Sequence, residues 1–254
     1  MNNLFDLKGR TALITGSSRG IGRAIAERMA QAGARVVVSS RKLDACEEVV
    51  SAIRKAGGEA VAIPCNISNK EELQQLVARS KEAFGKIDVL VCNAAVNPHY
   101  GTTQDIPDSA FQKVIDCNIR SNHWLCQMVV PEMAARGDGV VIIVSSIGGL
   151  KGSASLGTYG LSKAADMALA RNLAVEWGPK NVRVNCIAPG LVRTDFARAL
   201  WENPAIYDQT VQRYPLRRIG EPDEIAGAAI FLASAAGSFM TGQTLVIDGG
   251  ATIT

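Results

Sequence analysis

The chain has 254 residues, 47% apolar and 20% charged, which suits one α/β domain with a full core and excludes an intrinsically disordered protein. Its net charge of +3 is small and evenly spread, which argues against nucleic-acid or membrane-surface partners. The longest apolar runs, such as Val140–Val144, fall far below the ~18 residues of a membrane span. Met1–Arg10 lacks the apolar centre of a signal peptide, so a cytoplasmic protein is expected. The six cysteines (46, 65, 92, 117, 126, 186) form no C-x-x-C pair; they read as buried free thiols, with no metal site expected.

In chain order, Thr11–Thr15 reads as a strand, followed by a glycine-rich turn and a helix over Gly22–Ala32 that Gly33 ends. Strand Arg35–Ser40, helix Leu43–Ala56 with its stop at Gly57-Gly58, strand Ala60–Pro64 and helix Lys70–Phe84 repeat the alternation. Further strands are expected at Val89–Cys92, Val140–Ser145, Arg183–Ala188 and Thr244–Ile247. Most of these runs are apolar throughout, as parallel strands covered on both faces are. The pattern predicts a single-domain, Rossmann-like, doubly wound parallel sheet of about seven strands flanked by helices, spanning residues 1–254. Only Thr194–Glu221 breaks the rhythm: its apolar periodicity is weak, and it holds Phe196, Trp201, Tyr207 and Tyr214. It is expected to be a mobile substrate lid.

The turn after the first strand reads Thr15-Gly16-Ser17-Ser18-Arg19-Gly20-Ile21-Gly22. Glycines between a first strand and a first helix let backbone approach a pyrophosphate, and the helix N-terminus offers free N–H groups. Gly16 to Gly20 also fits G-x-S-x-G, the nucleophile elbow of a hydrolase, but the only histidines are His99 and His123, and none follows in the second half. At the end of the second strand, where an NAD site places a carboxylate, stands Ser39-Ser40-Arg41-Lys42. Arg41 and Ser40, with Arg19 from the glycine turn, predict a 2′-phosphate and hence NADP(H).

Downstream, Ser146 follows the strand Val140–Ser145, Tyr159 comes thirteen residues later, and Lys163 four after that. A separation of four puts Tyr159 and Lys163 on one helix face. A fixed ammonium one turn from a phenol favours the phenolate, which turns a poor acid–base group into a usable one; Ser146 can hold a substrate oxygen.

The motifs TGSSRGIG (15–22), Asn93-Ala94-Ala95, Ser146, Tyr159-Gly160-Leu161-Ser162-Lys163 and Pro189-Gly190 together resemble the short-chain dehydrogenase/reductase family over essentially the whole chain. The resemblance implies Tyr159 as acid/base, Ser146 as carbonyl stabiliser, and Lys163 as ribose ligand and modulator of Tyr159. It implies Asn118 as the anchor of a relay water. It further implies cofactor contacts from Gly16, Ser18, Arg19, Gly20, Ile21, Gly22, Asn66, Ile67, Asn93, Ala94, Ala95, Tyr159, Lys163, Pro189, Gly190, Val192 and Thr194. Two positions depart from the family pattern. Asn66 stands where aspartate often grips the adenine amino group, and Ala95 stands where glycine is usual, tolerable if its φ is negative.

Val91-Cys92-Asn93-Ala94-Ala95-Val96-Asn97-Pro98, Ser39–Lys42 and the run from Ala188 to Trp201 resemble the family's branch of peroxisomal-type NADPH-dependent carbonyl and retinal reductases, although Ala251–Thr254 is no peroxisomal signal. The expected activity is hydride transfer between NADPH and a ketone or aldehyde, or the reverse from the alcohol. Asn97, Leu150, Phe196 and Trp201 are the expected pocket. Two alternatives stand beside it: a 3-oxoacyl-thioester reductase and a non-catalytic NADP-sensing protein. The first lacks a basic residue at Val175 for an acidic carrier protein, although Arg136 is available; the second should have lost part of the catalytic set. The helix Tyr159–Trp177 carries alanines and leucines on several faces, and in the resembled family it forms a subunit interface, so a homotetramer is expected.

Overall fold

The computed structural model describes residues 4–254. Seven strands form one all-parallel sheet: β1 (Thr11–Thr15), β2 (Arg35–Ser39), β3 (Glu59–Ala62), β4 (Val89–Cys92), β5 (Gly139–Val144), β6 (Val182–Pro189) and β7 (Thr244–Ile247). Their order, β3-β2-β1-β4-β5-β6-β7, reverses direction between β1 and β4. That reversal opens a crevice at the carboxyl ends of the strands, where such sheets bind ligands.

The strands are apolar throughout because each serves two cores. Ala12, Ile14, Val36, Val38, Val89 and Val91 face one side, where Ile25 and Met29 of α1 (Gly20–Gln31), Val49 and Ile53 of α2 (Leu43–Lys55) and Leu232 of α9 (Pro222–Ala233) cover them. Leu13, Val37, Leu90 and Val141 face the other. There, Leu73 of α3 (Lys70–Phe84), Leu125 and Met133 of α5 (Ser121–Arg136) and Met167 of α6 (Gly157–Trp177) cover them. Period-two alternation thus separates two buried faces rather than a dry face from a wet one.

The expected strands and helices lie within a residue or two of the observed ones. The third strand ends at Ala62, not Pro64, yet its bonds to β2 run on, with Ile63 N–H donating to Val38 O and Cys65 N–H to Ser40 O, each at 3.0 Å; Pro64, whose nitrogen falls between them on the open edge of the sheet, costs the ladder no bond. All six cysteines are buried and free. No helix among the described residues is long and apolar enough to cross a membrane.

The segment 194–221, weak in apolar periodicity, is a largely helical flap: a 3₁₀ turn at Asp195–Ala197, then α7 (Arg198–Trp201) and α8 (Pro204–Arg213). Asn203 caps α8, its Oδ1 accepting from Ala205 N–H at 3.0 Å, and Pro204 begins the helix with no N–H to lose. Both roots of the flap are stitched together: Arg193 N–H donates to Gly220 O, and Gly220 N–H to Leu191 O, each at 2.9 Å.

Candidate active site

The glycine turn is held open from below. Thr15 Oγ1 accepts from the N–H groups of Asn93 and Ala94 at 3.1 and 3.2 Å, while Asn93 Nδ2 donates to the carbonyls of Thr15 and Gly16 at 2.9 and 3.1 Å. A Cβ on Gly22 would stand 2.4 Å from Asn93 Nδ2 and from Gly16 O, so only glycine allows this clamp. Gly16 and Gly20 take positive φ values of 66° and 54°, and Gly20 lies against Thr194 at the root of the flap. The first turn of α1 has no side-chain cap and no acidic residue. Its free N–H groups therefore face the crevice with the positive end of the helix, a cradle that fits a dinucleotide pyrophosphate.

At the end of β2, Ser40 is partly buried and Arg41 is exposed; no hydrogen-bond or ion-pair partner of the Arg41 guanidinium is found among the described residues. Arg19 is exposed and lies 4.0 Å from Asp195 on the flap, so a carboxylate already shares part of its charge. Asn66 accepts from the Ser68 hydroxyl at 2.9 Å through Oδ1, the oxygen expected to meet the adenine amino group. Among the described residues only Asn181 and Arg217 combine a side chain with positive φ, so Ala95 has the negative φ that makes it acceptable. On the far side of the crevice, Gly190 packs against Asp248 and donates to Ile247 O at 2.9 Å, and Val192 is buried.

The reaction side is built on the carboxyl end of β5 and the first turns of α6. Ser146 is extended and caps a 3₁₀ turn, Ile147–Gly149, its Oγ accepting from Gly148 N–H at 3.0 Å. A point beside Gly148 lies 3.4 Å from Ser146 Oγ and 3.8 Å from the Tyr159 ring, so the hydroxyl and the phenol share one edge of the crevice. Lys163 is 2% exposed; its Nζ lies 5.7 Å from the Tyr159 ring centre and donates to Val144 O at 2.9 Å and Asp166 Oδ2 at 3.0 Å. Burial acts most strongly on this ammonium and disfavours it, but Asp166 and Tyr159 outweigh burial and hold Lys163 above the usual lysine range.

Asn118 lies in a π-helical turn, Ile115–Arg120, between α4 (Asp108–Val114) and α5. Its side chain is fully used: Oδ1 accepts from Val96 N–H at 2.8 Å, and Nδ2 donates to Val96 O and Ser162 Oγ, both at 3.0 Å. Its main-chain carbonyl accepts from Asn122 Nδ2 at 2.7 Å.

The expected pocket residues divide. Phe196 meets the Tyr159 ring, centroids 6.0 Å apart. Trp201 is held at the root of the flap instead: its indole N–H donates to Thr194 O at 2.9 Å and Arg193 lies 5.3 Å over its ring. Leu150 is 48% exposed, and Asn97 is partly buried. A cavity of about 710 Å³ lies alongside, between Ile147, Lys151, Tyr214, Pro215 and Ala251. Sequence reading missed Asp166 and Asn122, both buried beside Lys163; a charged residue three places after a helix lysine was the available signal.

A doubly wound sheet with a glycine cradle at its switch point and a serine, tyrosine and lysine at one edge defines a nucleotide-dependent oxidoreductase. A family model described as enoyl-(acyl carrier protein) reductase matches residues 16–252. Dehydrogenase/reductase SDR family member 4 of Bos taurus is 44% identical over 244 residues, covering 96% of this chain and 88% of that one. Among solved structures, 7α-hydroxysteroid dehydrogenase complexed with NADH and 7-oxo glycochenodeoxycholic acid superposes with a TM-score of 0.94 at 40% identity, covering 98% of each chain. A gluconate 5-dehydrogenase from Burkholderia cenocepacia in complex with NADP and tartrate gives 0.94 at 32%, covering 99% of this chain and 98% of that one. The chain belongs to the short-chain dehydrogenase/reductase family and is an oxidoreductase of CH–OH and C=O groups.

Proposed function

We propose that the chain uses NADPH to reduce a ketone or aldehyde, with the alcohol as substrate of the reverse reaction. The observation that carries this reading is the buried Lys163 ammonium one turn from Tyr159, beside Ser146, at the edge of a crevice that fits a dinucleotide. Bound NADPH would supply the hydride. Ser146 donates to the carbonyl oxygen, and Tyr159 gives that oxygen its phenolic proton as charge develops there. Lys163 favours the phenolate that remains, and solvent returns the proton. One hydride on carbon and one proton on oxygen convert C=O to CH–OH.

Preference for NADPH is supported by the uncompensated Arg41 and by the absence of a carboxylate at the end of β2. The two solved relatives bind NADH and NADP on the same fold, so the choice lies in such residues rather than in the sheet. Gly16, Ser18, Arg19, Gly20, Ile21 and Gly22 hold the pyrophosphate side in this reading; Ser40 and Arg41 hold the 2′-phosphate. Asn66 and Ile67 flank the adenine. Asn93, Ala94, Ala95, Pro189, Gly190, Val192 and Thr194 border the nicotinamide half. A carrier-protein substrate is disfavoured: Val175 is 80% exposed with no charge to offer, and Arg136 is engaged with Glu132 and Ile87 O. NADPH oxidation by the purified protein against ketones, dicarbonyls, retinal and acetoacetyl thioesters tests the reading; turnover of the thioesters alone would replace it with the acyl-thioester reductase.

The flap 194–221 acts as the substrate lid, with Phe196 rather than Trp201 against the reacting carbonyl. Phe196→Ala should lower kcat/KM by unequal factors for a bulky and a small ketone, with NADPH affinity nearly unchanged. Equal losses for both ketones would remove Phe196 from the pocket.

A homotetramer is supported by apolar surface that the described residues of one chain leave exposed. Leu161 and Val175 on α6 are 51% and 80% exposed, and Phe239 is fully exposed. Light scattering at micromolar protein should give a four-chain mass; a one-chain mass would refute it. Cytoplasmic residence is the companion proposal, supported by six free thiols with no disulfide.

A further inference from the structure

Asp166, one turn beyond Lys163 on α6, is a second buried charge that the proton-transfer scheme does not use. Its side chain is 1% exposed. Oδ2 accepts from Lys163 Nζ at 3.0 Å, and Oδ1 accepts from Asn122 Nδ2 at 2.9 Å, across from α5. Packing does not call for it: Met167, Ala170 and Ala174, also buried on α6, are apolar. A carboxylate at this depth is costly unless paired, and an apolar residue would serve a purely structural role better.

The arrangement fixes the lysine. An ammonium carries three protons. Val144 O on β5 takes one at 2.9 Å, Asp166 takes a second, and the third has no protein acceptor among the described residues. With two directions set, the third is set as well. Without Asp166, Lys163 would be a buried cation held by one neutral carbonyl. Burial is the largest influence on both groups. It raises the Asp166 carboxyl against the pull of Lys163 and Asn122, and it opposes the lysine charge that Asp166 restores. Other titratable groups nearby are Tyr159 and Arg171 on α6, Cys92 on β4, Cys126 on α5 and Cys186 on β6. Cys92 is pushed up by its hydrogen bond with Cys126 and by burial, and Cys186 by burial, so neither thiol supplies a charge.

We propose that Asp166, clamped by Asn122, is a positioning residue that keeps Lys163 charged and aimed, so that the lysine can act on Tyr159. Its catalytic meaning rests on the reductase reading above; its test does not. The test is ultraviolet titration at 295 nm of the protein alone, each form referenced to its own Tyr159→Phe counterpart so that the other three tyrosines cancel. In Asp166→Asn and Asp166→Leu, Lys163 loses its counter-ion, burial neutralises it, and Tyr159 loses the neighbouring positive charge. The phenolate step should then move to higher pH by ~1 unit or more in both variants. Alcohol oxidation at a fixed pH below that step should fall about tenfold, because one unit is a factor of ten in phenolate.

The leucine variant removes the buried charge altogether and keeps the test open if the amide variant folds poorly. A step that stays in place or moves down, in a variant that still unfolds cooperatively, overturns the proposal: Lys163 would be holding its charge unaided. A wild-type protein that reduces no carbonyl with NADPH would refute the reductase reading, while the titration would still report on Asp166.

Discussion

Tyr159→Phe should lower kcat/KM for carbonyl reduction by about 10²–10⁴-fold, the range typical of losing a general acid, while NADPH affinity changes less than about threefold. The substitution removes one oxygen and keeps the ring that packs against Phe196 at 6.0 Å, so the local fold should persist. The cradle for the dinucleotide is formed by the glycine turn and its Asn93 clamp, which Tyr159 does not touch. Steady-state kinetics together with fluorescence titration of NADPH separate the two effects. A loss below tenfold would mean that the proton comes from another group, and Ser146 would be the next to examine.

The second large effect is a reversal of coenzyme choice. The unmutated protein should bind NADPH at least about tenfold more tightly than NADH, equivalent to ~1.4 kcal/mol. Arg41→Asp should invert that preference, placing a carboxylate where the ribose hydroxyls of NADH need an acceptor and where a 2′-phosphate would be repelled. Arg41 should dominate Arg19, since Asp195 lies 4.0 Å from Arg19 and no partner among the described residues offsets Arg41. Both arginines are exposed, so the preference should weaken as salt is added. Equal affinities for the two nucleotides in the unmutated protein would sink the assignment.

These residues could be read from sequence because they belong to local motifs. Gly16, Gly20 and Gly22 sit at spacings that backbone geometry alone demands, and Tyr159 and Lys163 are joined by one turn of a single helix. Strand pattern was equally plain, because both faces of the sheet are buried and the runs are apolar from end to end. What sequence hid depends on contacts between distant elements. Asn122 reaches Asp166 from another helix across 44 residues, and Trp201 turns toward Thr194 rather than Tyr159. The helices of the flap were not legible from periodicity, because Asn203-Pro204 starts a helix whose apolar face is short and capping carried the signal.

The π-helical turn at Ile115–Arg120 makes part of the site depend on a residue count as well as on residue types. An α-helix advances about 100° per residue, so one extra residue in this turn offsets everything on α4 from everything on α5 by that angle. Asn118 reaches Val96 and Ser162 in this offset register. Deleting a single residue from this turn would restore an ordinary helix and leave every side chain chemically intact. It would nevertheless swing the amide of Asn118 off Val96, and with it release the segment that follows β4. Along this stretch, the number of residues matters as well as the identity of Asn118.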